Sequence, residues 1–377
     1  DGHGLERSEK GAGRGIYRDI QAKYAAMASP LAGADCRSQR LTPMAVGYDF
    51  AIFGSGPFSA LLAGLLAHDH NKQVIRIATP VSPLRLPRSI DLALPFAARP
   101  ASWRMVRRAE AETRALLAAL AAPEAITPVD VRIVADRPAT ATALAHMTHI
   151  ALGYGIATRD GTFSAISRLT GEITLTDSKV QSVDTGAVTL NFAKSGAASL
   201  TIAGEAAEIG QIVLADDAAI LDLLPEAQRP AQLIAEAMTA TLTAPARRLA
   251  APIVRYPDRG VVLAQRLDLS IHALVSGDRD VEARLASSLS GPFPLSRFAT
   301  THYRRLTTSD GAPLLGRLKP SKLFVIAGLG DAGAFLAPPI ARLLSGVPRD
   351  DERAWLVAHD PSRPSRTAIA DFAEAAP

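Results

Sequence analysis

The stretch Leu323–Leu344, LFVIAGLGDAGAFLAPPIARLL, sets narrow limits on how this chain can fold. Five apolar residues, Leu323 to Ala327, have the length and character of a buried strand. Gly328, Gly330 and Gly333 then interrupt it, and a helical pattern opens at Ala334. Glycine is needed where backbone must come very close to another group, and a helix starting just behind it presents unpaired N–H groups and a partial positive charge. Such a turn is either a cradle for an electron-rich ring edge or a phosphate, or an ordinary connection in an α/β domain. What favours the cradle is a second strand, glycine turn and helix near the other end of the chain.

That second unit starts with the apolar strand Tyr48–Phe53, continues through Gly54-Ser55-Gly56-Pro57-Phe58-Ser59 into a helix, and closes with a strand from Val74 to Ala78. A strand, glycine turn, helix and strand within about thirty residues is the setting of a dinucleotide-binding turn. Gly54 permits the tight turn, Gly56 lets backbone approach a pyrophosphate, and the helix start faces the negative charge. Two positions depart from the pattern: Ser59 stands where a third glycine eases helix-to-strand packing, and Ala78 where a carboxylate normally grips the ribose hydroxyls.

Between these units the patterning alternates. A proline- and arginine-rich loop spans residues 80–100, where Arg85, Arg88 and Arg99 meet either phosphates or solvent. Helical spacing is expected over 105–122 and 139–152, with a strand over 129–135 between them. His146 and His149 share a helix face, but no carboxylate or cysteine joins them, so no metal site is expected. Residues 172–214 alternate with a period of two, as in ITLTD, AVTLNF and SLTIAG, and predict antiparallel sheet. A helix is expected over 228–239, strands over 249–255, 260–265 and 269–276, and another helix over 279–290. Residues 1–46 are glycine-rich and charged at their start, with Ile16, Ile20, Tyr24 and Met27 at helical spacing, and are expected to be an arm that docks on this chain or on another subunit. Beyond Gly346 the sequence is charged and proline-rich, with Trp355 and Leu356 as an anchor.

Composition closes off several function classes. Apolar residues make up 48% and charged residues 21% of 377, a globular composition. Lys plus Arg number 41 against 37 Asp plus Glu, a surplus too small and scattered to argue for nucleic acid. No apolar run is long enough for a membrane span, and no secretory signal pattern opens the sequence. A single cysteine, Cys36, rules out an internal disulfide and suits a reducing cytoplasm, so a cytoplasmic location is expected, with peripheral membrane association left open.

Taken in order, Gly54-x-Gly56 between two strands, IVLAD ahead of a short helix, and RLTTSDGAPLLG leading through a strand to GLGDAGAFLAPPIARLL resemble the FAD-dependent D-amino-acid oxidase superfamily, which includes glycine and sarcosine oxidases. The resemblance covers residues 48–346. It implies an α/β (α+β) fold with two lobes: a Rossmann-like FAD/NAD(P)-binding lobe drawn from 47–136, 160–225 and 306–346, and a mostly antiparallel substrate lobe from 137–159 and 226–305, followed by a tail from 347 to 377. The implied chemistry is oxidation of a C–N bond of a small amine or amino acid by hydride transfer to FAD. Gly54, Gly56, Pro57, Phe58 and Ser59 match the pyrophosphate turn; Arg88 and Ala215 match further cofactor contacts. Gly328, Gly330, Asp331, Ala332, Gly333 and Ala334 match the loop along the flavin pyrimidine edge. Arg305 matches the arginine that pairs with a substrate carboxylate, a role its planar fork suits; alternatively it forms a salt bridge to a neighbouring carboxylate such as Asp310. Ala78, Asp216, where glycine is usual, and Asp331, which brings negative charge to the flavin edge, all depart from the family pattern. They leave room for weakened or lost FAD, and with it for a second reading: a structural subunit that meets partners through residues 1–46 and 347–377.

Overall fold

The computed structural model describes residues 47–79, 86–95, 100–119, 122–170, 180–289, 297–321 and 323–364. The expected N-terminal arm, Cys36, Arg85, Arg99 and the ITLTD segment lie outside them. In chain order the strands are β1 (Tyr48–Phe53), β2 (Val74–Ala78), β3 (Ile126–Ile133), β4 (Thr158–Arg159), β5 (Thr162–Leu169), β6 (Val180–Asp184), β7 (Val188–Phe192), β8 (Ala198–Ile202), β9 (Glu205–Ala207), β10 (Ile209–Leu214), β11 (Leu233–Thr243), β12 (Ile253–Tyr256), β13 (Val261–Gln265), β14 (Ile271–Ser276), β15 (Arg297–Thr308), β16 (Leu314–Arg317) and β17 (Phe324–Ala327). The helices are α1 (Pro57–His68), α2 (Pro100–Ala119), α3 (Pro138–Gly153), α4 (Asp217–Leu223), α5 (Val281–Ser288), α6 (Ala337–Leu344) and α7 (Asp350–Val357).

A six-stranded sheet runs in the order β16-β17-β10-β1-β2-β6, parallel throughout except for β16. Its central strands β17, β10 and β1 are buried on both faces over most of their length, which is why they read as apolar runs, whereas the edge strand β6 is largely exposed. In β1, Phe50 and Ile52 face the helical layer that holds Leu61, Leu62, Phe335 and Ile340, whereas Ala51 and Phe53 face Leu200, Ile220 and Leu306. Leu61, Leu62 and Leu66 of α1 are fully buried, each contributing about 1.5–3 kcal/mol by leaving water. The three-stranded antiparallel sheet β7-β8-β9 joins the second face through Leu190, Leu200 and Ile202. The alternation over 172–214 is therefore antiparallel only in β7–β9; β6 and β10 enter the parallel sheet.

The larger sheet has eight strands in the order β15-β11-β14-β13-β12-β3-β5-β4, antiparallel except where β12 meets β3. β3 and β5 thus join this sheet, although 126–136 and 160–169 fall in the segments assigned from sequence to the cofactor lobe. The expected helix over 228–239 is not formed: β11 begins at Leu233, paired with β15 from there and with β14 from Met238. Ala, Glu and Met favour helix locally, but a central strand is decided by its neighbours, and cross-strand packing overrides propensity. One face of the sheet packs on Trp103 of α2 and Met147 of α3; Val281 and Leu285 of α5 cover part of the other.

The segment after Gly346 folds back onto the body. Trp355 and Leu356 are buried as the anchor expects, and the Trp355 indole N–H donates to Ser102 Oγ at 2.9 Å. Arg363 is buried in a two-pronged ion pair with Asp310, at 2.9 and 3.1 Å. Residues 350–363 are accordingly part of the domain's own packing. Among the described residues no helix is long and apolar enough to cross a membrane, and no group of three His, Cys, Asp or Glu side chains could hold a metal.

Candidate functional site

The two glycine turns leave one edge of one sheet. Gly54 follows β1 and Gly328 follows β17, with β10 between them, so their starting points lie about 10 Å apart at the C-terminal ends of parallel strands. The chain crosses from β1 through α1 to β2 on one side, while β10 lies on the other. This is a topological switch point, where open α/β sheets form a ligand crevice.

On the β1 side, a Cβ at Gly54 would sit 2.7 Å from that of Ser59, so only glycine fits. The Ser59 hydroxyl donates to the carbonyls of Gly54 and Gly56 at 2.7 and 2.8 Å, tying the helix start to the turn from the position where a third glycine is usual. Gly56 is different: nothing lies within 4 Å of its Cβ position, and its φ of −87° suits any residue. Pro57 opens α1 and brings no N–H; Phe58 is buried against the core. Ser55 Oγ accepts the Thr79 N–H at 3.0 Å, just beyond Ala78. Asp216, at the end of β10 after Ala215, reaches across the switch point: one carboxylate oxygen accepts the Ser55 N–H at 2.8 Å and the other caps α4 through the Ala219 N–H at 2.7 Å.

On the β17 side, Gly328 and Gly330 have φ of +64° and +59°, the left-handed region that favours glycine. No atom lies within 4 Å of a Cβ at Gly330. The expected helix at Ala334 is a tight turn over Gly330–Leu336, with α6 regular only from Ala337. Ala332, Gly333 and Ala334 are buried in it. Asp331 does not leave an unbalanced charge: its carboxylate is ion-paired with Arg255 of β12, and its carbonyl accepts the Leu92 N–H at 2.8 Å.

The larger sheet turns toward these loops the same face that packs on Trp103, and that mostly apolar face carries a few polar groups. Glu236, Met238 and Leu242 share that face of β11, and Tyr303, Arg305 and Thr307 the matching face of β15. The Tyr303 hydroxyl donates to the carbonyl of Arg88 at 2.8 Å, and the Arg88 guanidinium stacks over the Tyr303 ring at 5.4 Å. His272 Nε2 meets the Pro87 carbonyl at 3.0 Å. Residues 86–92 are thereby held between the two sheets. Arg305 donates to Glu236 at 3.1 Å, its cross-strand neighbour, and Glu236 also accepts from Thr307 at 3.1 Å. The salt-bridge alternative is thus the one observed, but with Glu236; Asp310 belongs to Arg363. Tyr303 could have been found from sequence, two residues before Arg305 on the same strand face. Glu236, Arg255 and His272 carry no local signal.

Burial controls the charge states here. It raises the Asp217 carboxyl to about 6, with Asp216 adding to the rise and the Leu306 N–H and Arg305 opposing it. It raises Asp91 to about 6, with Ser89 and Arg168 opposing. It lowers His272 to about 4, against the hydrogen bond to Pro87. An unfolded histidine titrates near ~6.5, so the unfolded chain binds the extra proton first, and the stability contributed by the neutral ring is lost as pH falls from ~6.5 through ~4, up to about 3 kcal/mol. The two carboxyls act with the opposite sign over the same window, so the comparison must be with His272→Asn, which keeps a donor for Pro87. The stability advantage of wild type over this variant is expected to shrink by up to about 3 kcal/mol between pH 7 and 4 in urea titrations; an advantage constant with pH would refute the assignment.

No protein-family model matches this sequence, and no curated protein does. Solved structures do. L-proline dehydrogenase from P. horikoshii superposes with a TM-score of 0.64 at 13% identity, over 85% of this chain and 98% of that one. Iminodiacetate oxidase from Chelativorans sp. BNC1 gives 0.56 at 16%, over 79% and 94%. Glycine oxidase from Bacillus cereus ATCC 14579 gives 0.58 at 12%, over 85% and 99%. At these identities the likeness is one of fold, and it spans nearly the whole of each of those proteins. The chain has the fold shared by these three proteins, the fold that the two glycine turns and the block around RLTTSDGAPLLG led us to expect.

Proposed function

We propose that the chain is an FAD-dependent oxidoreductase acting on a C–N bond of an amine or amino acid. The observation that carries this reading is the meeting of the turns at 54–59 and 328–333 along one edge of one parallel sheet, with the face of the second sheet that bears Tyr303, Arg305 and Glu236 turned toward them. The residues suit FAD: backbone at Gly56 and Gly330 is open to close approach, and the left-handed glycines need no other explanation than a loop shaped around something. The pyrophosphate end is the poorer fit, because Pro57 lacks an N–H and Ser55 has given its own to Asp216.

In this reading the tight turn at Gly54 sets Gly56, Phe58 and Ser59 to hold the pyrophosphate, Ala215 lines the crevice, and Arg88 with Gly328–Ala334 borders the flavin ring. Bound FAD would supply the acceptor for two electrons and a hydrogen from the carbon beside the substrate nitrogen. Everything else falls to the protein. Tyr303 and His272 fix the 86–92 segment, and Arg255 balances Asp331 so that no lone negative charge opposes charge building on the ring edge. Arg305, oriented by Glu236, is the group for a substrate carboxylate. The altered positions at 59, 78, 216 and 331 favour a second reading in which the same fold serves a structural role without FAD. Anaerobic addition of amines and amino acids to the FAD-incubated protein separates them. The enzyme reading expects the flavin absorption to bleach with at least one substrate; colourless protein that cannot be reconstituted leaves only the structural role.

A further inference from the structure

The turn that would receive a pyrophosphate already holds a carboxylate. β1 and β10 lie side by side, joined at their ends by the Ala215 N–H donating to the Phe53 carbonyl at 2.8 Å, so the residues after each strand emerge next to one another. Asp216 uses this proximity. Its Oδ2 takes the Ser55 N–H at 2.8 Å, inside the Gly54–Gly56 turn, while Oδ1 caps α4. The Gly54 N–H goes to Ile77 at 3.0 Å and Pro57 has none, which leaves Gly56, Phe58 and Ser59 as the turn's remaining donors. Any phosphate brought to these donors comes within a few ångströms of Asp216, where two like charges repel strongly because the crevice is only partly solvated.

Resting on the FAD reading above, we infer that Asp216 is an internal competitor of the FAD pyrophosphate: it occupies a donor of the phosphate turn with its own negative charge and sets the affinity for FAD low. The chain then loads FAD reversibly, in proportion to the free concentration, whereas a small neutral residue at this position would let the turn close on the cofactor. The alternative role for Asp216 is a brace that holds the turn in shape, and the two roles predict opposite effects of removing the carboxylate.

The test uses the full chain stripped of flavin, titrated with FAD and in parallel with riboflavin, which carries no phosphate, following the quenching of flavin fluorescence. Asp216→Ser keeps a cap for α4 but withdraws the charge from Ser55; Asp216→Asn removes the charge at nearly constant size and serves if the serine variant fails to fold. The inference expects FAD to bind about tenfold to a hundredfold more tightly to the variant, with riboflavin affinity unchanged. Wild type that fills with FAD only at high concentration beside a variant that fills at low concentration supports it equally. Unchanged or weaker FAD binding in a folded variant overturns it and identifies a brace. If neither protein binds FAD at any concentration, the FAD reading fails and the inference falls with it; that result differs from equal binding by both, which leaves the FAD reading standing.

Discussion

Arg363→Met is expected to destabilise the protein by about 3–5 kcal/mol, read as a drop in the urea midpoint. The Asp310 and Arg363 side chains are almost completely buried, at 1% and 3% exposure, and the arginine also donates to the carbonyls of Ala312, Pro313 and His359. Deleting it leaves a carboxylate in the interior with no cation and withdraws a donor from the Pro313 carbonyl, while the Ala312 and His359 carbonyls keep the Thr308 hydroxyl and the Leu315 N–H. Burial alone would raise the Asp310 carboxyl, but the hydrogen bonds from Arg363 and the Ala312 N–H, with the arginine's charge, outweigh it and hold the carboxyl below its usual range. Its stabilising effect is therefore complete above the unfolded value of ~3.9 and is lost as pH falls through the lower folded value. Asp310→Asn combined with Arg363→Met should recover much of the loss, since the uncompensated charge is then gone. A midpoint unchanged by Arg363→Met would mean that the C-terminal segment does not pack as described.

Gly56→Val is expected to leave the fold intact and remove FAD. At Gly56 the backbone is extended and a Cβ meets nothing within 4 Å, so the variant loses only the modest preference for glycine over an apolar residue at a helix N-cap, about 1 kcal/mol or less. The same open space is where a pyrophosphate would lie against the backbone. An isopropyl group there should weaken FAD by about a hundredfold or more, equivalent to ~2.7 kcal/mol. Few positions separate folding from ligand binding so cleanly. Gly54 does not, because its Cβ would strike Ser59, and Gly330 does not, because its φ is positive.

Much of the architecture was legible because parallel strands buried on both faces leave continuous apolar runs, and the turns after β1 and β17 need glycine; both signals are local. The start of β11 was not legible: LIAEAM favours helix, and only its pairing with β15, more than sixty residues along the chain, makes it a strand, β14 joining from Met238 onward. The same distance hid the partners of the site. Arg305 and Asp331 stood out as chemistry, but Glu236 answers the first across a strand register and Arg255 answers the second from β12 to the turn, neither encoded by any spacing in the sequence. Asp216 was visible as a departure from the usual glycine. That it spans the switch point to Ser55 depends on β1 and β10 being neighbours, although about 160 residues separate the two groups.

The claim on which the account turns is that one FAD lies across the two glycine turns. Its most direct test is the amount of FAD retained per chain at saturation, in wild type and in Gly56→Val, by equilibrium dialysis with the fold checked by circular dichroism. One FAD per wild-type chain, lost in a folded Gly56→Val, is the predicted result. No FAD on wild type at saturation, or equal retention by both proteins, would contradict it.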